Sequence, residues 1–210
     1  MKKGERTRRL ILERTANLFN SRGYSQTSLA DIMDATGLSK GTIYSNFEDK
    51  AHLAIAAFEY NLERLNGRVN AEMDQCATIR EKMVVYIRVY SVFLQQTLPN
   101  RSCPVLNAMS KVDNSVPVLK QKLKWAVMGW KNKLVALLEK GIHAREFHSS
   151  INCEQIAAAF IVLLEGAVML NKTLEDVKTA QLIIGYVEKM IVGIPSGEGE
   201  ERLEGPFLKI

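Results

Sequence analysis

The chain has 210 residues, of which 47% are hydrophobic and 24% charged, the balance of an ordinary globular protein with length for one large domain or a small and a medium one. Three separated cysteines, Cys76, Cys103 and Cys153, without a Cys-x-x-Cys or a neighbouring histidine, argue against a zinc site or a disulfide framework. With no signal-peptide pattern and no apolar run of about 18 residues, they predict a reducing cytoplasm and no membrane span; net charge is +5, which permits a polyanionic partner.

That charge is concentrated at the start. Residues 1–47 hold eight basic and four acidic side chains, a net of +4. Met1 to Arg9 reads as a basic arm, either a solvated terminus that also starts the first helix or a contact to phosphates or a minor groove. A helix follows, with Leu12, Ala16, Phe19 and Gly23 on one stripe and Ile11, Thr15 and Leu18 widening it; Tyr24 ends it by packing or capping.

Residues 27–50 contain two short helical patterns separated by a turn. Leu29, Ile32 and Met33 recur at helical spacing behind a Thr27 or Ser28 cap, and Gly37 supplies the left-handed residue that ends a helix. Ser39 caps the second, whose apolar residues Ile43 and Phe47 are four apart. The side chains left over are Ser39, Lys40, Gly41, Thr42, Tyr44, Ser45 and Asn46. These are short donors and acceptors, one lysine and one phenol, suited to phosphates and base edges and poor for packing. Two helices joined by a glycine turn, the second presenting such a face, form a helix-turn-helix.

Residues 9–53 resemble the N-terminal DNA-binding domain of the TetR family of bacterial repressors. The resemblance is carried by Phe19, Gly23, Tyr24, Thr27, Ser28, Ile32, Gly37, Leu38, Ser39, Gly41, Thr42, Ile43, Tyr44, Phe47 and Lys50. Departures are mild: Asn46 stands where His is frequent, and Met33 and Thr36 where Ala is frequent. The match covers about a quarter of the chain. It implies that Lys40, Thr42 and Tyr44 enter or border the major groove, while Ser28, Asn46 and Lys50 grip phosphates. Thr27, Ser39, Gly41 and Ser45 complete the DNA-binding set.

Asp49 caps the next helix and puts Lys50 in its first turn, where a cation opposes the helix dipole; a DNA phosphate would explain it. Leu53, Ala57, Tyr60 and Leu65 continue this helix out of the head, with Gly67 weakening its far end. The rest reads as helices: Ile79 to Leu94, stopped near Pro99 and Asn100; Cys103-Pro104 through Met109; and a long one from Pro117 carrying Leu119, Leu123, Val127, Trp130, Leu134 and Leu138. Trp125 and Met128 on the flank of the last predict burial on more than one side. Asn152 or Cys153 opens a helix to Leu170, Glu165 interrupting its apolar run, and Leu174 to Val192 closes the fold. Domains are predicted at 1–50, 51–193 and a mobile acidic tail at 194–210.

Three constellations remain. Ile156, Phe160, Leu163 and Ala167, with Ile184, Val187 and Ile191, exceed one core-facing stripe and predict a four-helix dimer interface, as the TetR resemblance also implies; the alternative is intramolecular core. Tyr90, Phe93, Met109, Trp125, Met128, Phe160 and Glu165 are candidates for an apolar effector pocket or for plain core. Lys120, Lys122, Lys124, Lys131 and Lys133 read as a solvated helix face, or as a grip on an anionic effector. His52, His143 and His148 are isolated and structural, and no catalytic constellation, metal site or cofactor motif is present. The expectation is an all-α homodimer that binds a palindromic operator in double-stranded DNA and is released by a small, largely apolar effector. A ligand-dependent activator and a sequence-nonspecific architectural DNA binder are the alternatives, with an enzyme bearing a regulatory head further off.

Overall fold

The computed structural model of the chain describes residues 3–94, 103–111 and 117–197, without the side chains of Phe93 and Lys111. These residues form nine α-helices, with no strand among them: α1 (Lys3–Arg22), α2 (Leu29–Thr36), α3 (Lys40–Tyr44), α4 (Lys50–Met73), α5 (Ile79–Ser91), α6 (Pro104–Lys111), α7 (Pro117–His143), α8 (Cys153–Leu174) and α9 (Val177–Val192). A 3-10 turn, Val92–Leu94, follows α5. The all-α expectation holds.

Local chemistry places most of the boundaries. Ser28 and Asp31 form a capping box on α2, and Gly37 at φ 69° ends it with its N–H donating to the Met33 carbonyl. Thr78 and Glu81 repeat the box on α5. Asp49 accepts the His52 N–H at 2.7 Å, and Asn152, the cap of α8, accepts that of Gln155 at 3.1 Å. Pro104 and Pro117 occupy first helical positions, where a missing N–H costs nothing.

The basic arm is helical from Lys3 onward and starts α1, in line with the plainer of its two readings. Gly67 lies within α4, which runs on to Met73, as one glycine costs a helix only about 1 kcal/mol. α8 continues past Leu170 to Leu174, where Glu175 turns left-handed at φ 53° and Asp176 caps α9. The stop near Pro99 and Asn100 lies outside the described residues.

The chain divides into two units, residues 1–67 with 97–125 and residues 68–96 with 126–210. In the first, Ile11, Ala16, Phe19, Ile32, Ile43 and Phe47 pack with Leu53, Ala54, Ala56 and Ala57. The boundary read at residue 50 therefore falls inside a core, because the first turns of α4 complete the three-helix head. Asn61 Nδ2 donates to the Ala16 carbonyl at 2.9 Å and ties α4 to α1.

In the second unit α8 packs against α9, and α5 packs against both. One knot holds three chain ends. The Glu146 carboxylate accepts the Ile79 N–H at 2.9 Å and the Arg80 N–H at 3.2 Å. The Arg80 guanidinium donates to the carbonyls of Ile191, Val192 and Ile194 at the end of α9, and lies 4.9 Å from the Phe147 ring centre. Burial pulls the Arg80 pKa down, and Glu146 opposes the shift. Ile194 is buried, the His148 N–H donates to the Pro195 carbonyl at 2.8 Å, and the Gly197 N–H donates to that of Arg145 at 3.2 Å. Residues 194–197 are thus docked, which corrects the first part of the expected mobile tail; residues 198–210 lie outside the described range. By length and composition α8 could cross a membrane. Here it buries Ile156, Phe160, Leu164 and Ala167 within the unit.

Candidate nucleic-acid interface and effector site

α3 is five residues long and has one buried anchor, Ile43. Around it Ser39, Lys40, Gly41 and Ser45 are exposed and Thr42, Tyr44 and Asn46 half-buried. Ser39 Oγ accepts the Thr42 N–H at 3.3 Å and lies 3.0 Å from Thr42 Oγ1. Ser45 Oγ and Asn46 Nδ2 both donate to the Thr42 carbonyl, at 2.8 and 2.9 Å. The helix thus caps itself at both ends and leaves its Lys40 edge facing water. Tyr44 packs its ring partly on the head core.

Three of the expected contacts are committed within the protein. Thr27 is fully buried and donates its hydroxyl to the Gly23 carbonyl at 2.7 Å, so it is not a DNA contact. Lys50 Nζ donates to the Thr27 carbonyl at 3.0 Å and stands 4.5 Å from the Tyr24 ring centre. That carbonyl and π face offset the dipole penalty for which a phosphate seemed necessary. Ser28 is exposed, but its hydroxyl donates to Asp31 Oδ2 at 2.7 Å and accepts the Asp31 N–H at 3.1 Å. In return the Ser28 hydroxyl and N–H, followed by Arg22 at 2.6 Å, hold the Asp31 carboxyl below its ordinary pKa.

Sequence reading missed Arg8. Its guanidinium lies 4.3 Å from the centre of the Phe47 ring, fixing the start of α1 to the residue that follows the recognition turn. No local spacing relates the two positions.

In the second unit, Tyr90, Phe160 and Glu165 meet as a group. Tyr90 donates its hydroxyl to Glu165 Oε1 at 3.3 Å. The group is completed by Tyr86 and Trp130, which periodicity marks only as stripe residues. Trp130 stacks on Tyr90 with ring centres 5.0 Å apart and on Tyr86 at 6.3 Å, while Phe160 meets Tyr86 edge-on at 6.1 Å. Burial alone pushes the Tyr86 phenol pKa up. Of the remaining candidates, Met109 on α6 is 55% exposed, and Trp125 and Met128 on α7 are 57% and 49% exposed, since α7 spends Leu119, Leu123, Leu134 and Leu138 on burial and leaves that flank in water. The Phe93 side chain lies outside the described residues. Of the lysines read as a solvated face of α7, Lys122 pairs with Glu59 at 2.5 Å, Lys131 pairs with Glu154, and Lys133 donates to Asn70.

The expected interface set is also reassigned. Ile156, Phe160, Ala167, Val187 and Ile191 are buried within the single chain, and Leu163 and Ile184 are half-buried. The apolar side chains that remain exposed on this pair include Val162 at 68%, Leu182 at 75% and Tyr186 at 59%. Gln155, Ala159, Val162, Leu163, Tyr186 and Met190 line an open groove there.

Residues 11–57 match the family described as bacterial regulatory proteins, tetR family, and residues 80–187 match the tetracyclin repressor-like C-terminal domain. A solved TetR-family transcriptional regulator from Cytophaga hutchinsonii is 35% identical, with a TM-score of 0.84 over 92% of this chain and 97% of its own. The regulator TtgR of Pseudomonas putida is 22% identical over 192 residues, 89% of each chain. The TetR-family regulator CifR, as a cysteine mutant complexed with 26-base-pair operator DNA, shares the fold with a TM-score of 0.77 at 18% identity, over 89% of this chain and 96% of its own. Helix-turn-helix geometry in the first unit and matches across both segments lead to one assignment: the chain belongs to the TetR family of DNA-binding transcriptional regulators.

Proposed function

We propose that this regulator is a cytoplasmic homodimeric repressor, without enzymatic activity, that binds a palindromic operator and leaves it when a small, largely apolar effector fills the second unit. The observation that carries the reading is α3: Ile43 is its sole buried residue, and exposed Ser39, Lys40, Gly41 and Ser45 with half-buried Thr42 form a polar edge. Such an edge fits a major groove, while exposed hydroxyls and Asn46 suit the phosphates beside it. Two copies are required because one short helix offers few base contacts, and paired half-sites lie about 34–36 Å apart. The exposed Val162, Leu182 and Tyr186 face of α8 and α9 supports pairing through that surface. The effector acts by binding better to dimers whose heads are spaced wrongly for the operator.

The test is Lys40→Ala, assayed by fluorescence anisotropy on duplex from upstream of the protein's own coding region and on a scrambled duplex. Operator affinity should fall by about 1–3 kcal/mol. An unchanged affinity in a folded variant, or equal affinity for both duplexes, defeats the repressor reading.

A further inference from the structure

A partly open cavity lies within the first unit, bounded by α1, α4, α6 and the start of α7, with a volume of about 40 Å³. A water needs about 10–15 Å³ of such space, so there is room for about three waters, or for one small ring in their place. The wall is mostly apolar. Phe19, Tyr24 and Phe58 supply rings, and the small side chains of Ala16, Ala54 and Ala108 leave the space between them.

One side chain gives this space a chemical preference. Asn61 borders the cavity, and its Nδ2 donates to the Ala16 carbonyl at 2.9 Å. A carbonyl only accepts, so the amide stands one way round and Oδ1 is its free end. That oxygen accepts no hydrogen bond among the described residues and is not buried from solvent. The other amide in the wall, Asn20, is already engaged. A hydrocarbon filling the cavity would cover the Asn61 oxygen and leave it unmet, whereas a hydroxyl group would answer it.

We propose that this cavity is a binding site for a small phenol, whose ring lies among Phe19, Tyr24 and Phe58 and whose hydroxyl donates to Asn61 Oδ1. The site goes beyond the effector reading and does not rest on it, because it lies in the unit that carries the helix-turn-helix and needs no ligand in the other. Ala16, Phe19 and Ala54 also belong to the head core. A bound phenol therefore touches side chains that hold the head together.

The test titrates phenol and toluene, alike in shape but for the hydroxyl, into full-length protein carrying carbon-13 in its alanine methyl groups. Ala108 reports on the cavity, and Ala157, buried on α8, reports on the second unit. Ala108→Gly and Ala157→Gly identify the two signals by their loss. Phenol should shift the Ala108 methyl signal to saturation through its ring current. Toluene should bind there about tenfold more weakly, the loss of one hydrogen bond. Ala108→Leu, which fills the space, should abolish the phenol response; if that variant does not fold, the two titrations of the unaltered protein decide. No saturable shift at Ala108, equal affinity for phenol and toluene, or a shift at Ala157 without one at Ala108 overturns the proposal. The effector reading is judged separately, by whether apolar compounds release the operator, and that result leaves this site untouched.

Discussion

Lys50 and Lys40 sit ten positions apart in one motif, and their surroundings give them opposite work. Lys50 lies between the Thr27 carbonyl and the Tyr24 ring, so its charge is used to hold α4 to the loop before α2. Lys40 is exposed at the start of α3. Lys50→Met should therefore cost about 1–2 kcal/mol of folding stability, as a charged hydrogen bond and a cation–π contact are lost. Below its unfolding transition it should weaken operator binding less than Lys40→Ala does. Urea melts and anisotropy titrations on the two variants separate the roles; if Lys50→Met melts like the parent protein yet loses the operator, the lysine is a phosphate contact after all. Thr27 is subject to the same reasoning. Its identity suggests a cap, but it is Ser28 that caps, while the Thr27 hydroxyl closes on the Gly23 carbonyl inside the head.

Three helix starts hold carboxyl groups whose titration is linked to folding. Asp31, Glu81 and Asp176 each accept backbone or hydroxyl hydrogen bonds at the start of a helix, and each has its pKa lowered. For Asp31 the Ser28 hydroxyl is the largest cause, for Glu81 the Thr78 N–H, and for Asp176 the Thr179 hydroxyl. A carboxyl with a lowered folded-state pKa adds stability that is present above its unfolded value and is lost as pH falls through the folded value. Stability should thus decline below about pH 4, the ordinary carboxylate range. Asp31→Asn should flatten part of that decline, as measured by thermal melts between neutral and acidic pH. An Asp31→Asn protein with the parent's full acid dependence would show that this cap is not a linked site. Ser28→Ala removes the other half of the box and should cost about 1 kcal/mol at neutral pH.

At the scale of the whole molecule, two features call for separate tests. The Arg80 knot joins the start of α5, the end of α9 and the turn after α7 through one guanidinium and one carboxylate. Arg80→Ala should lose about 2–3 kcal/mol in a urea melt, since it strips charged donors from the carbonyls of Ile191, Val192 and Ile194; a loss within measurement error would show that those carbonyls find other donors. The second feature is the exposed apolar face of α8 and α9. Leu182→Glu should shift sedimentation at micromolar protein from dimer to monomer with circular dichroism retained. A Leu182→Glu protein that remains dimeric places the interface elsewhere.

The sequence by itself determined the head. Its helices, turn and caps are decided by neighbours within about four residues, through backbone N–H groups, a left-handed glycine and the spacing of Ile32, Ile43 and Phe47. It also determined that the body is helical. It could not say which of two apolar faces a helix turns inward, because α8 and α9 are hydrophobic on more than one side. Only packing decided that Ile156, Phe160, Val187 and Ile191 are core while Leu182 and Tyr186 are left outside. The pairing of Trp130 with Tyr90, of Arg8 with Phe47 and of Arg80 with the end of α9 joins positions 40 residues, 39 residues and more than 100 residues apart. Hydrogen bonds and ring contacts at that separation exist only once the helices have met, so periodicity along the chain carries no trace of them.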